Sequence, residues 1–163
     1  MDIEWDKILP SVIGALTGGT MSLLGSYFSA RRQANKEEKR REYEEKRSEK
    51  IALKSIKHEI EHNSIRYYHL KKGMESEGIA VINLKLNNIE LSVKTNKWEE
   101  HSDIIENIER IDLNYIGRLR GLYMNIYRDL GLNMISKEDV IGIEQQASSL
   151  IKEIEETLKL HYQ

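Results

Sequence analysis

Cysteine is absent from this chain, proline and phenylalanine occur once each, and only 7% of its 163 residues are aromatic. Without cysteine there is no disulfide framework and no thiolate metal site. So little proline and phenylalanine beside 32% charged residues suits a helical protein better than a sheet protein, and the length suffices for one domain with a proper core. The net charge of −2 argues against a general affinity for nucleic acid. The sequence also lacks a G-x-x-x-x-G-K-S/T phosphate loop and a nucleophile elbow. An all-α fold is expected.

Charge is missing from one place in particular. Residues 8–30 read ILPSVIGALTGGTMSLLGSYFSA, without a single charged side chain, and at about 1.5 Å per residue such a helix crosses a hydrocarbon core of roughly 30 Å. The acidic Asp2, Glu4 and Asp6 ahead of it do not make the basic leader of a cleaved signal peptide. A soluble buried helix is disfavoured because Gly14, Gly18, Gly19 and Gly25 would each cost about 1 kcal/mol relative to alanine. Residues 1–30 are therefore expected to form a transmembrane segment. Arg31, Arg32, Lys36, Lys39, Arg40 and Arg41 follow it, and the positive-inside bias then puts the amino terminus outside the inner membrane and the carboxyl side in the cytoplasm.

Within this segment Ser11, Ala15, Gly18, Ser22, Gly25 and Ser29 alternate at spacings of four and three, which places them on a single helix face made of small residues. Leu9, Ile13, Leu16, Leu23 and Tyr27 occupy the far side. In lipid, small faces let backbones approach closely and let serine hydroxyls bond across helices. The expected consequence is a homo-oligomer, with this face lining either a pore or a dry seam.

Residues 31–50, RRQANKEEKRREYEEKRSEK, mix basic and acidic side chains with almost no apolar contact. Glycine and proline are missing from residues 26–72, so one continuous helix is predicted, aided by i,i+4 pairs such as Glu37 with Arg41. It lacks the a/d stripe of a two-stranded coiled coil. It reads as a charged membrane-proximal spacer, with Arg31, Arg32 and Lys36 meeting anionic headgroups. Interspersed glutamates argue against direct sequence-specific nucleic-acid binding.

Apolar periodicity begins near Ile51, and residues 51–163 are expected to form a cytoplasmic four-helix bundle. Leu53, Ile56, Ile60 and Tyr67 form the first core face, and KKGMESEG is expected to break the helix. The β-branched content of residues 79–93 allows a short strand or an extended crossing segment, and they are read as irregular. Thr95 or Asn96 caps the next helix, with Asn96 and Glu99 at capping-box spacing; Asp112 begins another, ending at Gly131, and Ser136 with Asp139 caps the last.

The first bundle helix contains H-E-I-E-H, His58 to His62, the spacing at which two histidines bind zinc and a glutamate activates water. A catalytic zinc needs a third ligand and a dry cleft. The His58 and His62 face lies away from the Leu53, Ile56, Ile60 stripe, Glu61 adds a second carboxylate inside the motif, and no H-x-x-G-x-x-H extension follows. No catalytic residue, metal ligand or cofactor is expected, and the protein is not read as an enzyme.

EIEHN on the first bundle helix, LSVKTNKWEE before the second and LRGLYMNIYRDL on the third resemble a pattern in small prokaryotic and prophage single-span membrane proteins with a cytoplasmic helical bundle. Proteins of this build resemble phage-defence membrane effectors, including the accessory proteins of RNA-targeting CRISPR systems whose subunits form ring-shaped pores. The resemblance implies a homo-oligomeric effector that opens or perturbs the inner membrane, with a defence-system protein or nucleoprotein as a further partner beside lipid and the chain itself. It makes Glu59 and Asn63 bundle residues. Those accessory proteins are related to the HEPN helical domain, whose R-x(4-6)-H motif cleaves RNA; here no arginine has a histidine at that spacing, so RNase activity is not implied. The alternative is a non-conducting membrane anchor or adaptor that recruits a cytoplasmic partner.

Overall fold

No helix breaker interrupts residues 26–72, and the computed structural model carries one helix through all of them: α1 spans Trp5–Glu77. The structure describes residues 5–84 and 92–162, with side chains described from Gly18 onward. Its class is all-α. After α1 come α2 (Asn96–Glu106), α3 (Leu113–Leu132) and α4 (Lys137–His161), with a small antiparallel ribbon formed by β1 (Val81–Asn83) and β2 (Met134–Ser136). The chain divides into two units, residues 1–45 and residues 46–163.

In the first unit, described side chains follow α1 alone, and every residue from 18 to 45 is exposed. Among the described residues no helix is long and apolar enough to cross a membrane. The expected transmembrane helix thus has no support from them, although residues 8–17 of the charge-free stretch lie outside the residues whose side chains are described.

In the second unit, the carboxyl-terminal part of α1 buries Leu53, Ile56, Ile60, Tyr67 and Met74, spaced three, four or seven apart on one face. They share a core with Leu119, Tyr123 and Ile126 of α3 and with Ile143, Leu150 and Ile154 of α4. The helix ends within KKGMESEG, residues 71–78, as expected; it runs through Gly73, because a glycine inside a helix costs only about 1 kcal/mol and Tyr67 and Met74 on either side of it are anchored in the core. The stop is Gly78, whose φ of +67° is left-handed. Ile79 N–H then donates to the Met74 carbonyl at 2.9 Å, the closing bond of a Schellman motif.

The irregular segment expected at residues 79–93 is corrected in part: β1 pairs with β2, with Ile82 opposite Ile135 and both buried, while Val81 and Met134 face outward. Residues 85–91 lie outside the described residues. The stop expected at Gly131 moves to Leu132, followed by Asn133 in the left-handed conformation (φ 55°) with its N–H on the Asp129 carbonyl. Asp112 and Ser136 act as the expected caps, accepting from Asn114 N–H and Asp139 N–H at 3.0 Å each. Ion pairs tie the layers: Lys57 to Glu155 at 2.7 Å, Arg120 to Glu106 at 2.7 Å, and a two-pronged Arg118–Glu153 contact.

Candidate functional site

The most concentrated chemistry in the bundle lies where α1 meets the start of α2. Glu59 is 4% exposed and Asn63 2%, on the same α1 face as Ile56, Ile60 and Tyr67. A helix start leaves backbone N–H groups without intrahelical partners. In α2 the expected cap does not supply them: Thr95 occupies the N-cap position without a side-chain bond to the backbone, and its hydroxyl donates to Glu99 Oε1 instead. Glu59 does the capping from another helix. Its Oε2 accepts Lys97 N–H at 2.8 Å, and its Oε1 accepts Trp98 N–H at 3.0 Å and the Tyr123 hydroxyl at 2.9 Å.

One turn on, Asn63 grips the backbone of Lys94 from both sides, donating to its carbonyl at 2.7 Å and accepting from its N–H at 2.9 Å. The helix dipole of α2 favours a carboxylate at this end. Burial, and then the Glu59 charge, push the Tyr123 phenol well above its ordinary value, which keeps the hydroxyl a donor. Trp98 stacks on Tyr123 with centroids 4.7 Å apart and planes 13° from parallel. Three donors converge on a carboxylate closed off from solvent. That arrangement fixes α2 and the segment ahead of it, and it presents no base to a substrate.

The two histidines of H-E-I-E-H point elsewhere. The His58 side chain is 74% exposed with Nδ1 3.1 Å from Glu61 Oε2, whereas His62 Nε2 lies 3.0 Å from the Ser92 carbonyl. A carbonyl only accepts, so His62 Nε2 carries the hydrogen and is closed to a metal. Of the two glutamates between them, Glu59, at the position of the water-activating residue, is turned into the core. Among the described residues no group of three or more histidine, aspartate or glutamate side chains is placed to hold a metal ion.

Of the expected oligomer face, Ser11 and Ala15 lie outside the residues whose side chains are described. Gly18, Ser22, Gly25 and Ser29 are exposed on α1. A Cβ added at Gly18, Gly19 or Gly25 would meet nothing within 4 Å, so the fold of a single copy does not require glycine there. Around them Met21, Leu23, Leu24, Tyr27 and Phe28 are 52–73% exposed. Arg31, Arg32 and Lys36 are likewise exposed, and among the described residues they carry no ion pair, while Glu37 draws Arg40 and Arg41 to 2.8 and 3.8 Å.

Sequence reasoning missed the capping role of Glu59 and the part played by Tyr123. The available signal was phase: a carboxylate and an amide lie in register with a buried apolar stripe. Asp129 follows the same logic, three residues after Ile126 on the core face of α3. It is 2% exposed, Arg128 donates twice to its Oδ1 at 3.0 and 2.9 Å, and its Oδ2 has no partner among the described residues. Burial pushes the Asp129 carboxyl up. The Tyr67 hydroxyl, also unpartnered among the described residues, is pushed up by burial and by the Asp129 charge.

Comparison with protein-family models, curated proteins and solved structures finds nothing that matches this chain.

Proposed function

We propose that the protein is a homo-oligomeric, membrane-anchored effector without enzymatic activity. In this reading residues 8–30 enter the inner membrane and the face made of Ser11, Ala15, Gly18, Ser22, Gly25 and Ser29 seats each helix against other copies. Arg31, Arg32 and Lys36 meet lipid headgroups, the bundle lies in the cytoplasm, and the assembly opens or perturbs the bilayer. A role in phage defence, triggered through a defence-system protein or nucleoprotein, follows from the resemblance of its EIEHN, KTNKWEE and LRGLYMNIYRDL stretches to such effectors. The proposed span draws Ile8, Leu9, Val12, Ile13 and Leu16 from the residues whose side chains are not described.

The observation that carries the reading is the exposure of a large apolar set beside glycines that nothing in the same chain explains. Met21, Leu23, Leu24, Tyr27 and Phe28 are each more than half exposed, and Gly18 and Gly25 have open space where a side chain would go. Contiguous apolar surface of this kind marks contact with a membrane or another protein, and glycine in a helix is retained where a second backbone comes close. The test is vesicle leakage by the reconstituted full chain with Gly18→Leu and Ser22→Leu. Both variants should insert as the parent does and lose leakage; leakage at the parental rate would overturn the pore-forming part of the reading.

One observation favours the adaptor reading. Ile65 and Tyr68, three residues apart on α1 within the bundle unit, are 56% and 44% exposed, an apolar spot suited to a partner protein. In that case leakage is absent and Ile65→Glu releases a partner that co-purifies with the parent.

A further inference from the structure

A second concentration of charge lies entirely within the bundle unit, where the carboxyl-terminal turns of α4 run beside α1. Lys50, Lys54 and Lys57 rise along α1 at spacings of four and three, and Glu155, Leu158, Lys159 and Tyr162 line the facing wall, enclosing an open groove of about 400 Å³. That volume falls within the range of small-molecule sites. The charges do not cancel. Lys57 lies 2.7 Å from Glu155 and 3.3 Å from Glu61, and Lys50 donates to the Tyr162 carbonyl, answering the partial negative charge at the end of α4.

Lys54 and Lys159 are exposed and, among the described residues, form no ion pair. Counting Lys50, Lys54, Lys57 and Lys159 against Glu155 and Glu61, the groove and its margin keep two surplus positive charges on a chain whose net charge is −2. Lys159, in the last turn of α4, answers part of the helix-end charge and acts on Glu155 from beyond ion-pair distance, whereas Lys54 has no carboxylate within ion-pair distance among the described residues. Two ammonium groups from separate helices, in a groove also lined by Leu158 and Tyr162, fit an anion with several oxygens and an apolar or uncharged body.

We propose that this groove binds a phosphate-bearing ligand, with Lys54 and Lys159 as its main anion contacts. Lysine suits this task as a point charge on a flexible stem that follows a rotating phosphate group. The inference stands apart from the membrane reading, because every contributing residue lies in the bundle. The ligand chemistry has two sources, a free phosphate compound or the phosphodiester of a lipid headgroup.

The experiment titrates the full chain in a neutral detergent with inorganic pyrophosphate and, separately, with short-chain phosphatidylglycerol, by calorimetry at low salt. One ligand per chain should bind saturably, and whichever probe binds tighter names the source. Lys54→Gln with Lys159→Gln should weaken binding at least about tenfold, the loss of a charge-assisted contact, with the unfolding midpoint unchanged and affinity restored by Lys54→Arg with Lys159→Arg. Lys39→Gln with Lys94→Gln, which removes the same charge at exposed positions outside the groove, should leave binding intact. Absence of saturable binding to both probes, or equal weakening in the two glutamine pairs, would overturn the proposal.

Discussion

Two stretches of α1 face opposite conditions. From residue 18 to residue 45 every side chain is exposed, and glycines stand where added atoms would touch nothing. From Ala52 to Met74 the same helix buries Leu53, Ile56, Ile60 and Tyr67 completely and supplies Glu59 and Asn63 to cap and clamp the chain leading into α2. A helix is stabilised mainly by what covers its apolar face. In the bundle the cover comes from the same chain, whereas residues 18–30 have none from the described residues, and the proposed function assigns it to other copies and lipid. Substitutions that are severe in one stretch should therefore be silent in the other when the bundle alone is measured.

The largest effect is expected at Glu59. Glu59→Ala leaves the Lys97 and Trp98 N–H groups and the Tyr123 hydroxyl without their acceptor, at about 1–3 kcal/mol for each group left unsatisfied in the interior. Denaturant unfolding should show a loss of several kcal/mol, and Glu59→Gln, which keeps an acceptor oxygen, should lose less. A loss as small as that of a surface residue would remove the clamp from this account.

Next comes a direct pairing of the two stretches. Leu53→Ala should cost about 2–5 kcal/mol as a cavity forms in a closed core, while Leu24→Ala, at a position 52% exposed, should leave the unfolding transition of the bundle where it was. If both shift it equally, the division of labour along α1 fails. Asn63→Ala follows, at about 1–3 kcal/mol for the two backbone groups of Lys94 left without their shared partner; faster hydrogen exchange at Lys94 N–H is the accompanying readout.

The smallest effect is a pH dependence. Burial holds the Asp129 carboxyl above its ordinary value of 3.8, so the folded chain binds that proton more readily than the unfolded one. The stabilising contribution is fully present below 3.8 and is lost as pH rises through the higher folded-state value. Asp129→Asn, neutral throughout, should gain about 1 kcal/mol at neutral pH and flatten the decline above 3.8. An unchanged slope in the variant would mean that the aspartate is not the group responsible.

Local chemistry was legible in the sequence where cause and effect are neighbours. Asp112 and Ser136 cap helices three or fewer residues away, and the core faces of α3 and α4 repeat at helical spacing. The cap on α2 was not legible, because Glu59 and the amides it accepts from are 38 and 39 residues apart and the Tyr123 hydroxyl is 64 away. The ribbon escaped for another reason: strands of three residues are too short to show a period of two, and only pairing Ile82 with Ile135 reveals that both face the core. KKGMESEG was legible as the end of α1, but its composition does not say which of its two glycines stops the helix, and the helix runs through Gly73. Gly78, five residues later, is the position where the backbone needs a left-handed φ.

In the proposed function, other copies in a membrane supply the cover for the amino-terminal stretch. The most direct measurement is the mass of the intact full chain released from detergent micelles, beside Gly18→Leu. A discrete assembly larger than a dimer that falls apart in the variant is expected, because a leucine at Gly18 meets nothing within one copy and collides only with a neighbouring helix. A monomer, or a dimer unaffected by that substitution, would contradict it.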